Sequence, residues 1–257
     1  MSTSPTPSPT PAETSTATAI PILEFGRAWM QDPGTPARAA ELGLTHPFAF
    51  WALGRAGSLG DITHEGAAAA IGFMAPHLVA EVWSQRAGRS PRDFALEYAA
   101  VSAAWGRSVL ADVDPVRLER LRELSNRVAA ATPASVGALF AGWRSIPQPT
   151  DPAGGVTVAL NVLREMRGGA HLAAVHAAGL TPHHAVISFT ADQVRGGPAG
   201  AERFGWQTPH PEPDEAARAR AEELTTLICT PSFAALDGGE RAEFIELVRE
   251  VRAALAS

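Results

Sequence analysis

The sequence predicts an all-α protein: a multi-helix, two-lobed orthogonal bundle behind a disordered N-terminal tail. Three observations predict it. Apolar residues recur at spacings of three and four, as in Phe94, Tyr98, Val101 and Trp105. Capping residues followed by proline recur where such helical patterns begin, at Ser90-Pro91, Asp114-Pro115 and Thr181-Pro182. No segment alternates apolar and polar side chains as a half-buried strand would.

Residues 2–18 are Ser, Thr, Pro and Ala with one acid, Glu13. Such a stretch buries too little apolar surface to offset its ordering entropy, so residues 1–18 read as a disordered tail. Ile20 to Met30 is the first ordered segment, closed by the turn Asp32-Pro33-Gly34. Thr35-Pro36 opens a short helix ending near Gly43, and Phe48 to Gly54 forms the next. A loop over Gly57 to Asp61 follows. Thr63 then caps a helix from Ala67 to Met74, broken at Pro76, and His77 to Arg86 restarts it.

Ser90-Pro91 caps a long helix from Asp93 to Val109. Asp114-Pro115 caps another, with Val116, Leu118, Leu121, Leu124 and Val128 as its apolar positions, and Thr132-Pro133 starts a third that ends near Ile146. Turn formers crowd Pro147 to Gly155, which reads as an internal linker. The chain thus divides near residue 150, into an N-terminal lobe over 19–147 and a C-terminal lobe over 148–257. In the second, a helix from Val156 to Arg167 ends on Gly168-Gly169, and Ala170 to Ala178 runs up to a Gly179 C-cap. Thr181-Pro182 starts a further helix, a short element ends at Phe204-Gly205-Trp206, and Gln207 to Pro213 is a loop. Glu215 to Ile228 and Gly239 to Leu255 are amphipathic helices.

Composition excludes several chemistries. The 257 residues carry a formal charge of −6 with no basic stripe, which argues against a dedicated nucleic-acid binder. All 21 basic residues are Arg, so Schiff-base catalysis and a phosphate-loop lysine are ruled out. The one cysteine, Cys229, lies among Leu227, Ile228 and Phe233 and reads as a buried, inert thiol. No apolar run approaches the ~20 residues of a membrane span, and no basic residue precedes Arg27, so a cytoplasmic protein is expected.

Eight histidines raise the question of a metal. His171 and His176 are five apart and do not share a helix face, and His183-His184 are neighbours that point apart. HExxH and paired ExxH patterns are absent. No metal or other cofactor is expected, although a single axial haem histidine would leave no spacing signature.

The densest chemistry lies in Leu163-Arg164-Glu165-Met166-Arg167-Gly168-Gly169-Ala170-His171. Read as a joint between two helices, it lets Arg167 hold an anion, Glu165 take a proton and His171 act as acid or base near neutrality. Its alternative is a purely structural turn with surface ion pairs. A second stretch, Phe50 to Gly60, carries Arg55 after an apolar helix and before a Gly-rich loop. Arg55 there either binds a carboxylate or bridges backbone carbonyls. No GxSxG elbow and no GxGxxG after a strand is present.

Three passages resemble an actinobacterial, all-helical group known as the helix-turn-helix family. They are Gly43-Leu44 with Phe50-Trp51 and Gly54 to Gly60; Phe73, Pro76, Val79 and Trp83; and Arg164, Glu165, Arg167, Gly168 and His171, followed by Gly179-Leu180 and Gly205-Trp206. The chain departs from the family's pattern at Gly169, where that pattern has Asp, and the winged-helix segment expected after Gly-Trp is reduced to Gln207 to Asp214. The resemblance implies an all-helical fold with a ligand site around the joint, and it attaches no reaction.

The expected function is small-molecule binding between the lobes, in actinobacterial natural-product metabolism. Arg55 and Arg167 would neutralise an acidic group and Trp51, Phe73 and Trp83 would form an apolar wall. The alternatives are a cofactor-free lyase, cyclase or isomerase with His171 as acid/base and Glu165 orienting it, and a transcription regulator acting as a homodimer.

Overall fold

The computed structural model describes residues 7–188 and 196–256. Thirteen α-helices and no strand occur among them: α1 (Pro11–Gln31), α2 (Gly34–Glu41), α3 (Ala49–Ala56), α4 (His64–Ile71), α5 (Pro76–Ser84), α6 (Pro91–Val109), α7 (Pro115–Ala131), α8 (Ala138–Trp143), α9 (Pro152–Ala177), α10 (Pro182–Ile187), α11 (Gly197–Arg203), α12 (Glu215–Cys229) and α13 (Gly238–Ala253). The chain is all-α, as its periodicity predicts.

One local device starts many of these helices. At Thr10-Pro11, Ser90-Pro91, Asp114-Pro115, Asp151-Pro152 and Thr181-Pro182 the first residue's side-chain oxygen accepts an amide of the first turn, and the proline takes a position that needs no N–H. Two of these five lie where the sequence reading places no helix. Thr10 and Glu13 form a reciprocal capping box, so residues 11–18, assigned above to the tail, are the first two turns of α1. Residues 1–6 lie outside the described residues. Asp151 accepts from the Gly154 amide and starts α9 inside the stretch read as a linker. Thr132-Pro133, in contrast, opens only a short 3-10 turn before α8, because the Thr132 hydroxyl donates back to Val128 O and closes α7.

The expected break at Gly168-Gly169 is also corrected: α9 runs unbroken through both glycines to Ala177 and ends, as expected, before Gly179 at φ +83°. Two helical glycines cost about 1 kcal/mol each relative to alanine. Burial outweighs that cost. Every residue from Gly154 to Leu163 is buried, all the way around the helix, so α9 is the axis of the molecule. It packs against α1, α6, α7, α8 and α12, which come from both sides of residue 150. The larger buried apolar cluster runs from Ile22 to Val251, and a smaller one gathers Val175, Leu180, Ala185 and Ala221.

The helices that carry the site are fixed by a knot of rings. Tyr98 of α6 meets Trp29, Phe50 and Trp143 edge-on at 4.4, 5.2 and 5.9 Å. Gly54 of α3 lies against the same ring: a Cβ there would sit 2.3 Å from Tyr98 Cγ. That close approach seats α3 on α6 and delivers the next residue, Arg55, to α9.

Candidate functional site

Four helices line a partly open cavity of about 410 Å³. Each contributes residues at helical spacing. Helix α9 gives Arg164, Arg167, Gly168 and His171; α12 gives Arg218, Glu222 and Cys229; α1 gives Ser15, Ala19, Ile22 and Arg27; α3 gives Trp51 and Arg55. Offsets of three, four, seven and eight put each set on one face of its helix. Phe73, Phe204 and Phe233 join the lining.

Beneath the cavity lies a buried ion pair. Glu165 is fully buried, and Arg55 grips it through two parallel bonds, Nε to Oε1 at 2.8 Å and Nη2 to Oε2 at 2.7 Å. Arg164 adds a bond from Nη1 to Oε1 at 3.1 Å. The Trp51 ring supports the Arg55 guanidinium at 4.5 Å, and the Arg55 carbonyl accepts from Trp143 Nε1 and Ser58 Oγ. Burial pushes the Glu165 carboxyl upward, but the charge and hydrogen bonds of Arg55, with the charge of Arg164, outweigh it and hold the carboxylate below its ordinary range. Burial and the positive charges of Arg55 and Arg27 push Arg164 down, against the pull of Glu165.

His171 belongs to a different group. Its Nδ1 is 2.9 Å from Thr225 Oγ1, and that hydroxyl donates its one hydrogen to Ala221 O at 2.6 Å. Nδ1 therefore carries the imidazole proton and Nε2 is a bare acceptor. Burial, helped by the charge of Arg167, pushes His171 down to about 4, against Glu222. The imidazole is neutral near pH 7 and has no Nε2 proton to give. Glu222 lies 3.8 Å from Nδ1 and is bound instead by Arg167 Nη2 at 2.6 Å.

The structure brings Trp51, Arg55, Phe73, Arg167 and His171 to the lining of one cavity. It does not bring Glu165 to His171. Both oxygens of Glu165 are held by Arg55, and the partner of His171 is Thr225. Trp83 is buried in the apolar core on α5 and does not line the cavity. Sequence reasoning missed Arg27, Arg164, Arg218, Glu222 and Thr225. Arg218, Glu222 and Thr225 lie on α12, a helix the sequence does predict, but its own spacing does not say which face meets α9; Arg27 and Arg164 belong to stripes on α1 and α9 that the supposed tail and the supposed Gly168 break cut short.

Among the described residues, no three His, Cys, Asp or Glu side chains converge as around a metal ion. None of the described helices is long and apolar enough to cross a membrane.

A family model described as "Helix-turn-helix family" matches residues 24–257. The chain belongs to that family. No curated protein and no solved structure matches it. The matched region of this helix-turn-helix family member holds α3, α9 and α12, so the cavity's cationic wall lies within it. The first turns of α1, with Ser15, Thr18, Ala19, Ile20, Ile22 and Leu23 lining the opposite wall, precede it. Between α11 and α12 the family member has neither helix nor strand, so nothing there builds a wing.

Proposed function

We propose that this protein binds a small molecule in the cavity lined by α1, α3, α9 and α12. The observation that carries the reading is the lining itself. A partly open space of about 410 Å³, lined by Trp51, Phe73, Phe204 and Phe233 and studded with a few charged groups, has the size and chemistry of ligand pockets in general. Gly168 adds to it. A Cβ at this position would meet nothing closer than Glu165 Oε2 at 3.9 Å and Arg55 Nη2 at 4.0 Å. A helix-weakening residue thus stands where the absence of a side chain leaves room over the ion pair.

The test is uptake of N-phenyl-1-naphthylamine, a neutral apolar dye whose fluorescence rises on leaving water, by the wild type and by Gly168→Leu. Saturable uptake by the wild type and its loss in a folded Gly168→Leu support the reading. Equal uptake by both, or none by the wild type, overturns it.

The bare Nε2 of His171 in the same cavity favours a second reading, in which the bound molecule is also transformed. His171 would act there as a base alone. Replacing it with Ala should then lower turnover by roughly 10²-fold while binding persists; unchanged turnover removes the reading. The family description keeps DNA regulation as an alternative. Against it stands the formal charge of −6 with no basic stripe along the sequence. A regulator would be retained on DNA in a strongly salt-dependent manner.

A further inference from the structure

Five arginines line the cavity, and they are not equally neutralised. Arg55 is matched by Glu165, Arg167 by Glu222 at 2.6 Å and Arg218 by Glu215 at 3.0 Å. Two are left over, and they lie on facing helices. Arg164 of α9 shares Glu165, whose oxygens Arg55 already occupies, and its Nε has no acceptor although the side chain is only 10% exposed. Arg27 of α1 has no carboxylate within ion-pair distance among the described residues. Burial disfavours the charge on both, on Arg164 with the charges of Arg55 and Arg27 helping and on Arg27 against the pull of Glu24. Packing keeps them together nonetheless: Gly26, beside Arg27, lets the Arg164 chain lie across α1, where a Cβ would sit 2.5 Å from Arg164 Cδ.

The surplus is partial: Arg164 shares one carboxylate with Arg55, and the only opposite charge acting on Arg27 is that of Glu24, which lies beyond ion-pair distance and is bound by Arg252. Positive charge at a cavity that no carboxylate fully offsets favours a molecule that brings negative charge and acceptor oxygens. The rest of the wall (Trp51, Phe73, Leu163, Met166, Phe204) calls for an apolar body.

Resting on the cavity being a binding site, we infer that its ligand is an apolar acid: a hydrocarbon or aromatic body bearing one anionic oxygen group, carboxylate or phosphate monoester, held by Arg164 and Arg27. The group enters an environment already biased for it. Arg164 is held in place by Glu165, so the anion gains charge-assisted hydrogen bonds without first ordering a long side chain.

The experiment is displacement of bound N-phenyl-1-naphthylamine from the full chain by three ligands of equal chain length: decanoate, decyl phosphate and decan-1-ol. Both anions, or one of them, should displace the dye at a concentration at least roughly tenfold below that of the alcohol, since a charge-assisted bond contributes about 1.5–3 kcal/mol and 1.4 kcal/mol is tenfold. Whichever anion is stronger identifies the head group. In Arg164→Gln and in Arg27→Gln the anion-to-alcohol ratio should fall severalfold or more while dye and decan-1-ol affinities hold. Having both variants guards against one failing to fold. An alcohol as strong as both anions in the wild type, or a ratio unchanged in both variants, overturns the acid while leaving the cavity as a site. No dye uptake by the wild type overturns the binding reading itself.

Discussion

The two adjacent glycines of α9 predict opposite responses to the same methyl group. In a helix interior, Gly→Ala gains about 1 kcal/mol from backbone entropy and hydrogen-bond shielding, and this gain is common to both positions. At Gly168 the new Cβ has no neighbour nearer than 3.9 Å. At Gly169 it would lie 2.6 Å from Val136 O and 2.7 Å from Gly137 Cα. Those are backbone atoms of the turn leading into α8 and cannot swing aside as a side chain would. Overpacking of this kind costs about 1–3 kcal/mol. Gly168→Ala should therefore raise the melting temperature by about 2–4 °C, the shift that 1 kcal/mol brings in a chain of this size. Gly169→Ala should melt below Gly168→Ala by about 2 °C or more. Differential scanning calorimetry of the three proteins side by side is the assay. A Gly168→Ala variant that melts below wild type, or two variants that melt together, would refute the claim that Gly168 borders open space and Gly169 close-packed backbone.

Three further outcomes are expected. Removing the buried acid by Glu165→Leu leaves Arg55 and Arg164 without their counter-charge and should cost about 3–5 kcal/mol in urea unfolding; a loss below 1 kcal/mol contradicts the burial of the pair. His171 has a folded-state pKa of about 4 against 6.5 unfolded, so below pH 6.5 the unfolded chain takes the proton first. Stability should then be full above pH 6.5 and decline by about 3 kcal/mol as pH falls toward 4, and His171→Asn should flatten that part of the profile; parallel wild-type and variant profiles count against it. Burial pushes the Cys229 thiol up to about 11, so although it borders the cavity a thiol-specific disulfide reagent should label the native protein far more slowly than the unfolded one; equal rates would count against that burial.

The fold was legible where local chemistry and composition agreed. Thr63, Ser90, Asp114, Thr181 and Gly179 cap their helices as expected. Reading failed where composition overruled the same local signal. Thr10-Pro11 with Glu13 is as complete a start signal as Ser90-Pro91, but it lies in a Ser/Thr/Pro stretch that a lone segment could not order. What orders it is tertiary: Thr14, Ser15 and Thr18 are buried, α1 packs along α13 and α9, and the Arg241 guanidinium Nε binds Pro9 O at 2.7 Å. Likewise, Gly168-Gly169 breaks a helix in isolation, and only the packing around α9 keeps it whole.

Those two misreadings hide the stripes on α1 and α9, while Arg218, Glu222 and Thr225 of α12 were missed for another reason, that a helix's own spacing does not name its neighbour. With α9 continuous, Arg164, Arg167, Gly168 and His171 fall on one face at offsets of three, four and seven. With α1 extended to Pro11, Ser15, Ala19, Ile22 and Arg27 form the face opposite. What no spacing rule could supply is the pairing across 110 residues that makes Glu165 the counter-charge of Arg55. That pairing changes the chemistry read from the joint. A carboxylate committed to one arginine, with a second arginine left over beside it, does not shuttle protons; it holds a cation at a cavity wall at the expense of burying three charges. Replacing such a triad with apolar residues would often leave a fold as stable or more so. The sense of keeping it here is what the surplus charge can hold, and the displacement ratio in Arg164→Gln measures that.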